Sequence, residues 1–477
     1  MDLVSRSELL YGSSPALFSA TGTLSFRNYA SRARNTARKL LEKGLHPGST
    51  VAVIAPNSPD IALLGIALFH AEMIFAPLNY RFPFQQMLST LQMLQPDLVL
   101  TSLASIEPDD LAFRTESVDT VLNEKPGDVF PDRIATSGCM ERTLTIIHTS
   151  ASSGKPKAAA HSFGNHWYNA LGALSNIPLG PGDCSLLSLP LFHVGGYAVL
   201  FRALASGSAV AVPEPDEPLE RSLERFPVTH LSLVPTQLHR LLRNPAVLQQ
   251  LRKLKAVLLG GSAAPLPLLE EGLRLGLPLY LTYGSTEMSS QTATADRPYC
   301  ADRKTSVRPL PHRELSIADD GEILVKGPCL FQGYLIEGKP VLPVDAQGWF
   351  HTGDDGTIDR NGNLSVLGRK DNMFISGGEN LHPEDIECAL ASIEGIEAAI
   401  VVPVADREFG WKPAAFIKTT LPEQPADSII TEAMLRTVGR LKTPVRYIRI
   451  CQWVTLPGSQ KIDRKWYIGQ IGKECSC

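Results

Sequence analysis

Val51-Ala52-Val53-Ile54, a short and wholly apolar run, decides the fold together with the segments that follow it. An apolar segment long enough for a helix extends from Ser58 to Ala71, and a second short run follows at Phe75-Ala76-Pro77-Leu78. Short continuous apolar runs are typical of strands buried on both faces, and a strand–helix–strand order is typical of a parallel sheet. This stretch therefore predicts an α/β fold.

The same alternation continues on both sides of this unit. Helices are predicted from Arg27 to Lys43 and from Phe84 to Leu94, and a further strand at Asp97–Leu100. Later strands are predicted at Cys184–Leu189, Ala209–Val212, Leu231–Val234, Ala256–Leu259 and Leu279–Leu281.

The character of the sequence changes after these strands. Short strands with turns are predicted around Gly321–Gly333, and Asp359–Asn363 has the composition of a hairpin turn. After Asp371 the pattern is that of a compact α+β domain. We predict a large N-terminal domain of α/β layers with a small β-barrel-like part over residues 1–370, and a small mobile α+β domain over 371–477.

Composition and charge exclude some functions. The 477 residues are 44% hydrophobic and 20% charged, and 45 basic against 49 acidic residues give a net charge of −4. This balance offers no basis for binding nucleic acid or an anionic membrane. The longest strongly apolar stretch, roughly Ile61–Phe69, is far shorter than the ~20 residues of a membrane span, so no integral membrane segment is expected. Residues 1–6 show no secretory signal, and a cytoplasmic protein is expected. The sequence leaves the oligomeric state open.

Five polar segments follow one another over more than three hundred residues, and each suits one part of a nucleotide. Together they offer a phosphate loop, a purine platform, a metal carboxylate, a ribose carboxylate and a late lysine. They are Thr149–Lys157, Tyr283–Glu287, Thr352–Asp354, Gly368–Asp371 and Lys461–Arg464.

The first segment has the composition of a phosphate-binding loop. Four small residues, 150–153, precede Gly154 and Lys155, so backbone N–H groups, hydroxyls and an ammonium can approach phosphate oxygens. It is not a Walker A loop, because Pro156 follows the lysine and Thr149 stands where that motif has glycine. A surface linker rich in serine and glycine is the alternative.

The second segment follows a predicted strand. Tyr283 can stack on a purine, Thr286 can donate to a phosphate oxygen, and Glu287 can hold Mg²⁺. A turn beside a helix N-terminus would favour the same residue types, and this alternative stays open.

The remaining segments carry isolated charges. Asp354 can accept hydrogen bonds from both ribose hydroxyls, or it can shape a turn. Taken alone, Arg369 and Lys461 are equally well explained as solvated surface charges. Their order and spacing with the other segments favour a nucleotide site.

In combination, the five segments resemble the adenylate-forming superfamily of acyl- and aryl-CoA ligases, firefly-luciferase-like enzymes and peptide-synthetase adenylation domains. The resemblance covers essentially the whole chain, and it implies an active site between a large and a small domain. It also implies ATP, Mg²⁺ and coenzyme A as cofactors. The sequence departs from the family at Ala151 and Gln460, where the family usually has glycine. Alanine tolerates positive φ poorly, so a stiffer or slower loop is expected.

The resemblance implies a role for each matching position. Glu287 would bind Mg²⁺, Asp371 would be the hinge, and Lys461 would bridge the substrate carboxylate and the α-phosphate. Gly377 and Gly378 would line the pantetheine tunnel, or they form a plain turn. The residues that would contact the nucleotide are Thr149, Ser150, Ser152, Ser153, Gly154, Lys157, Gly260, Gly261, Ser262, Tyr283, Gly284, Thr286, Asp354 and Arg369.

Two segments narrow the acid substrate. Phe192–Leu204 and Thr229–Leu238 resemble the 2-succinylbenzoate–CoA ligases of menaquinone biosynthesis. Arg202 lies in an otherwise apolar predicted helix, where it would pair with the second carboxylate of such a diacid. The alternative is an arginine that reaches the surface or pairs structurally.

Three further residues are candidates for contact with the acid. Ser232 and Thr292 are weaker candidates for holding the second carboxylate, and His193 would either gate the reacting carboxylate or pack as a neutral core histidine. The first alternative function is a fatty-acid or aryl-acid CoA ligase, or a carrier-loading adenylation enzyme. A non-catalytic nucleotide-binding regulator, suggested by Ala151, is a remote alternative.

Overall fold

The computed structural model describes residues 2–106, 111–123, 139–149, 157–300, 306–419, 425–456 and 462–471. The helices in these ranges are α1 Leu3–Tyr11, α2 Phe26–Glu42, α3 Pro59–His70, α4 Phe84–Leu94, α5 Val118–Asn123, α6 Phe163–Asn176, α7 Val194–Ser206, α8 Leu219–Arg225, α9 Pro235–Leu242, α10 Pro245–Lys253, α11 Leu266–Arg274, α12 Pro383–Ala391, α13 Asp427–Val438 and α14 Arg464–Gln470.

The strands in the same ranges are β1 Pro15–Ser19, β2 Gly22–Ser25, β3 Thr50–Ile54, β4 Ile74–Leu78, β5 Leu98–Thr101, β6 Thr115–Ser117, β7 Thr143–His148, β8 Ala158–Ser162, β9 Cys184–Leu186, β10 Ala209–Ala211, β11 His230–Leu233, β12 Ala256–Leu259, β13 Leu279–Ser285, β14 Ser290–Thr294, β15 Arg308–Pro309, β16 Glu314–Ile317, β17 Glu322–Lys326, β18 Gly333–Ile336, β19 Lys339–Val341, β20 Phe350–Ile358, β21 Leu364–Arg369, β22 Phe374–Ser376, β23 Glu379–Leu381, β24 Ile396–Asp406, β25 Gly410–Thr419 and β26 Tyr447–Arg449.

The first sheet contains the predicted parallel unit. Its eight strands run in the order β19-β18-β8-β7-β4-β3-β5-β6, and β3 pairs in parallel with both β4 and β5. Helix α3 begins where the Ser58 side chain accepts a hydrogen bond from the Ile61 N–H, with Pro59 in its first turn. The prediction from this stretch is confirmed.

The second sheet has nine strands in the order β15-β14-β13-β12-β11-β9-β10-β1-β2, of which β9, β11, β12 and β13 are parallel neighbours. Its core is continuous with that of the first sheet, since Leu17, Val210, Val53, Leu64 and Leu200 belong to one buried cluster. The carboxyl ends of the parallel strands share one edge, which is where α/β sheets bind ligands.

A four-stranded antiparallel sheet, β16-β17-β20-β21, forms the part that the sequence predicted as barrel-like. The predicted turn at Asp359–Asn363 joins β20 to β21, and the Asp359 carboxylate accepts hydrogen bonds from the N–H groups of Asn361 and Asn363. This sheet brings Asp354 and Arg369 opposite each other on adjacent strands.

The C-terminal part is a smaller α+β unit. Strands β23-β22-β25-β24 form one sheet, to which β26 adds by pairing with β25, and two buried clusters draw all their residues from Ile386 onward. Separate cores favour a separate domain. The boundary between 370 and 371 stays a prediction. In the ranges given above, no helix is long and apolar enough to cross a membrane.

Candidate active site

Three predicted nucleotide residues meet between β13, β20 and β21. The Tyr283 hydroxyl donates to Asp354 Oδ2 at 2.7 Å, and Arg369 Nη1 donates to Asp354 Oδ1 at 3.0 Å. Burial raises the pKa of Asp354, although both hydrogen bonds oppose this shift. Burial and the Asp354 carboxylate together raise the pKa of Tyr283 well above its ordinary value, so the phenol stays a donor. The arrangement holds the carboxylate in place and leaves the tyrosine ring for other contacts.

Glycines follow β12 and interrupt β13 because neighbouring atoms leave no room for a side chain. A Cβ at Gly260 would lie 2.6 Å from Thr282 Cγ2, and one at Gly284 would lie 2.0 Å from the Ser290 carbonyl oxygen. Gly261 has a φ of +84°, which disfavours any other residue. Gly261 and Ser262 are exposed beyond the carboxyl end of β12, on the edge where a purine pocket is predicted.

The predicted metal ligand Glu287 is held by a residue that the sequence did not single out. The Tyr334 hydroxyl donates to Glu287 Oε1 at 2.6 Å, and the Lys157 ammonium lies over the Tyr334 ring, 4.6 Å from its centroid. Glu287 Oε2 has no hydrogen bond to any residue that the structure describes. A carboxylate with one oxygen that no described residue occupies, linked through Tyr334 to Lys157 at the end of the predicted phosphate loop, fits Mg²⁺, which is usually held by one or two carboxylates and substrate phosphates. Over the same residues, no group of three or more histidine, cysteine or acidic side chains could hold a metal by itself.

The turn that carries Thr286 is fixed from behind by buried histidines. His161 Nε2 donates to the Thr286 carbonyl oxygen at 2.7 Å, and His166 Nε2 lies 2.8 Å from Thr145 Oγ1, whose hydroxyl also contacts His161 Nδ1 at 3.4 Å. Burial lowers the pKa of His161 to about 4, so its ring is neutral at pH 7. Neither histidine was predicted from the sequence.

The phosphate loop is described only at its two ends. The Thr149 N–H donates to the Lys157 carbonyl oxygen at 2.9 Å, which closes the loop between antiparallel β7 and β8. Ser150, Ser152, Ser153 and Gly154 lie outside the described residues, and the prediction for them stands untested. Ala151 lies outside them as well.

Lys461 also lies outside the described residues, but its neighbourhood is anchored. Arg464 Nη2 donates to Glu387 Oε2 at 3.0 Å, and Arg464 Nη1 donates to the Val401 carbonyl oxygen at 2.5 Å. These contacts attach the chain immediately after Lys461 to α12 and β24.

Arg202 is buried without a partner. Its side chain is 8% exposed on α7 and makes no hydrogen bond or ion pair with any described residue. It lines a pocket between α6, α7 and the second sheet, whose other walls are mostly apolar. Burial contradicts the alternative of a surface arginine, no described residue pairs with the guanidinium, and the contact of Arg202 with an acid stays a prediction. The polar residues of the pocket are Ser185, Arg202, His230, Ser232 and Gln291.

The other acid-site candidates differ in position. Ser232 lines the same pocket as Arg202. Thr292 is 1% exposed on β14, and its hydroxyl has no partner in the described part of the chain. His193 is exposed at the start of α7, so its predicted alternative as a core histidine is wrong.

The residues after β21 occupy a junction and a turn. Arg369 Nε donates to Asp371 Oδ1 at 3.1 Å, and Asp371 is exposed. Gly377 and Gly378 form the two-residue turn between β22 and β23, with φ values of +56° and +87°. The turn alone explains why both are glycine. The hinge and the pantetheine tunnel stay predictions.

The geometry defines a nucleotide-dependent enzyme of a known class. A family model described as AMP-binding enzyme matches residues 7–335, and the chain belongs to this family. The resemblance to adenylate-forming enzymes is confirmed. Among its curated relatives, the 2-succinylbenzoate–CoA ligase of Salmonella typhimurium is 35% identical over 457 residues, covering 94% of this chain and 93% of the relative. The enzyme of the same name from Escherichia coli is 35% identical over 448 residues, covering 93% and 92%.

Solved structures of a synthetase with the same type of acid substrate are also similar to this chain. The o-succinylbenzoate CoA synthetase of Bacillus subtilis in complex with the acyl-adenylate intermediate OSB-AMP has a TM-score of 0.87 and 28% identity, covering 99% of this chain and 98% of that one. The same synthetase with ATP and magnesium ion has a TM-score of 0.87 and 28% identity, covering 97% and 98%. The large α/β part and the smaller C-terminal part are thus both shared with this class.

Proposed function

We propose that the chain is a 2-succinylbenzoate–CoA ligase, which converts 2-succinylbenzoate, ATP and CoA into 2-succinylbenzoyl-CoA, AMP and diphosphate in menaquinone biosynthesis. Relatives of that name align over nearly the whole chain. The observation that carries the choice of acid is Arg202, a buried guanidinium that lines a pocket and has no described partner. Because ATP and CoA are metabolites of the cytoplasm, we place the enzyme there.

A buried charge without a partner disfavours the folded protein unless a ligand supplies the opposite charge. A second guanidinium lies near this one, since Arg313 is 7% exposed and lowers the pKa of Arg202 by its charge. Arg313 donates to backbone carbonyls of Gln291, Pro311 and Asn169, so no described carboxylate balances either arginine. An acid with two carboxylates can react through one and neutralise Arg202 with the other. A fatty acid or benzoate lacks the second.

The first half-reaction joins two anions, the acid carboxylate and the α-phosphate. Positive charge must lie where negative charge builds, and water must be excluded. Lys461 would supply that charge, and Thr286, held by His161, would donate to the α-phosphate. Mg²⁺ at Glu287 would neutralise the departing diphosphate. The carboxylate oxygen attacks phosphorus in line, and the bond to the diphosphate breaks.

In the second half-reaction, the CoA thiolate attacks the carbonyl carbon of the acyl-adenylate, and AMP leaves. Lys461 would obstruct the thiolate if it stayed beside the α-phosphate, so the small domain must rotate between the steps. We place the domain boundary at 370/371 and the hinge at Asp371. Gly377 and Gly378 would then allow close approach of pantetheine.

The test is a panel of acids offered to the purified protein with ATP, Mg²⁺ and CoA. We expect the highest kcat/KM with 2-succinylbenzoate, with AMP and the CoA thioester formed in equal amounts. Faster turnover of benzoate or medium-chain fatty acids would refute the choice of acid. Diphosphate exchange whose product formation does not depend on CoA would favour a carrier-loading enzyme, and nucleotide binding without AMP formation would favour a regulator.

A further inference from the structure

His230 lies in the same pocket as Arg202, at the first position of β11. It precedes Ser232 by two residues, so both side chains project to the same side of the strand. His230 is 8% exposed. Along the strand, at ~3.3 Å per residue, it lies about 10 Å before Leu233, which stands at the carboxyl edge of the sheet. A group at His230 would therefore face the part of a bound acid that is remote from the nucleotide.

Only one nitrogen of the His230 ring forms a hydrogen bond with a described residue. Nδ1 lies 2.8 Å from Thr229 Oγ1, whereas Nε2 has no hydrogen bond to any residue in the described ranges. Burial lowers the pKa of His230 to about 4, with Asp183 opposing and Lys255 and Arg202 adding to the shift. The ring is neutral at pH 7. The Thr229 hydroxyl has two acceptors within reach, the Cys184 carbonyl oxygen at 3.2 Å and His230 Nδ1 at 2.8 Å. Donation to the nearer acceptor, Nδ1, leaves the ring proton on Nε2, which is then a donor facing the pocket.

The charged groups nearest to His230 leave this donor available. Asp183 and Lys255 are paired with each other at 2.6 Å. Arg202 is a donor as well, so it cannot accept the proton of Nε2. A ligand that carries an acceptor group fits both donors, and a carboxylate has two oxygens, one for each donor.

We propose that His230 determines specificity for a diacid, because its Nε2–H donates to the carboxylate that does not react while Arg202 neutralises the charge of that carboxylate. This inference rests on the proposed function. It assigns to His230 a second contact with the bound carboxylate, which adds to the contact with Arg202 in fixing the orientation of that carboxylate.

Two substitutions distinguish the role of His230 Nδ1 from that of Nε2. The amide nitrogen of His230→Gln can take the place of Nε2, whereas that of His230→Asn can take the place of Nδ1. We would measure KM and kcat for 2-succinylbenzoate and for the mono-acid analogue in which the non-reacting carboxylate is replaced by methyl. Circular dichroism would confirm folding, and His230→Phe would replace the asparagine variant if that variant does not fold.

The asparagine variant is expected to raise KM for 2-succinylbenzoate about 10- to 100-fold, the effect of losing one hydrogen bond to a charged group, with kcat changed less than about threefold. The glutamine variant is expected to stay within about threefold of wild type in KM. Neither variant should change KM for the mono-acid that lacks the non-reacting carboxylate.

Loss of diacid binding in the glutamine variant but not in the asparagine variant would overturn the proposal, because it would show that only the contact with Thr229 matters. Equal changes of KM for diacid and mono-acid would overturn it as well. In either case the proposed function survives if wild type still prefers 2-succinylbenzoate. A wild type that prefers fatty acids refutes both.

Discussion

Replacement of Arg202 by methionine is expected to stabilise the protein and to remove its use of the diacid. Burial and the charge of Arg313 lower the pKa of Arg202 from 12.5 to about 10. At about 1.4 kcal/mol for each pKa unit, keeping the charge costs the folded protein about 3 kcal/mol. Methionine fills a similar volume without a charge and loses part of the packing of the side-chain stem. A net gain of about 1–3 kcal/mol in the free energy of unfolding follows.

The matched control is the neighbouring buried arginine. Arg313 donates to three backbone carbonyls, so Arg313→Met leaves buried acceptors unsatisfied and is expected to destabilise the protein by about 2–5 kcal/mol. Urea unfolding followed by tryptophan fluorescence would compare both variants with wild type. For Arg202→Met, kcat/KM for 2-succinylbenzoate is expected to fall at least about 100-fold, since a charge-assisted pair is lost.

Two results would refute this reasoning. If Arg202→Met were destabilised as strongly as Arg313→Met, Arg202 would have a structural partner in the folded protein. If Arg202→Met were stabilised but still preferred the diacid, the guanidinium would not recognise the second carboxylate.

Three further substitutions test other parts of the account. Tyr334→Phe removes the hydrogen bond that orients Glu287, so the Mg²⁺ concentration for half-maximal ATP–diphosphate exchange is expected to rise about 10-fold; an unchanged Mg²⁺ curve would contradict this. Burial lowers the pKa of His148 to about 4, so the unfolded chain takes up its proton near pH 6.5 while the folded protein resists until about pH 4. The free energy of unfolding of wild type therefore falls as the pH is lowered through this window. In urea titrations, the free energy of unfolding of His148→Phe is expected to fall by up to about 3 kcal/mol less than that of wild type, and equal falls would contradict this expectation. Lys461→Ala is expected to lose most adenylation activity but to keep thioester formation from preformed acyl-adenylate. Equal loss in both half-reactions would contradict the proposal that Lys461 acts only in adenylation.

Sequence patterns predicted those helices and strands that are determined by residues close together in the chain. The apolar runs that became β3 and β4, and the helix at Phe84–Leu94, follow from residues within about twenty positions of one another. Sheet edges follow from distant pairings instead. Strand β18 joins β8 across more than 170 residues of chain, and β1 pairs with β10, so neither neighbour could be read from its own sequence.

The candidate site shows the same division. Tyr283 was predicted from the strand that precedes it, and Asp354 from its place in the order of polar segments; the structure brings the two residues into contact. Tyr334 and His161 were missed because each acts on a residue far along the chain, Glu287 in one case and the Thr286 carbonyl in the other. Their own surroundings, a β-hairpin and an alanine-rich strand, carry no sign of these contacts.

The most direct measurement is a crystal structure with a stable analogue of the acyl-adenylate of 2-succinylbenzoate. The non-reacting carboxylate is expected to lie within hydrogen-bond distance of the Arg202 guanidinium, and the ribose hydroxyls are expected to donate to Asp354. A carboxylate bound elsewhere, with Arg202 still lacking any partner, would contradict the assignment of the acid.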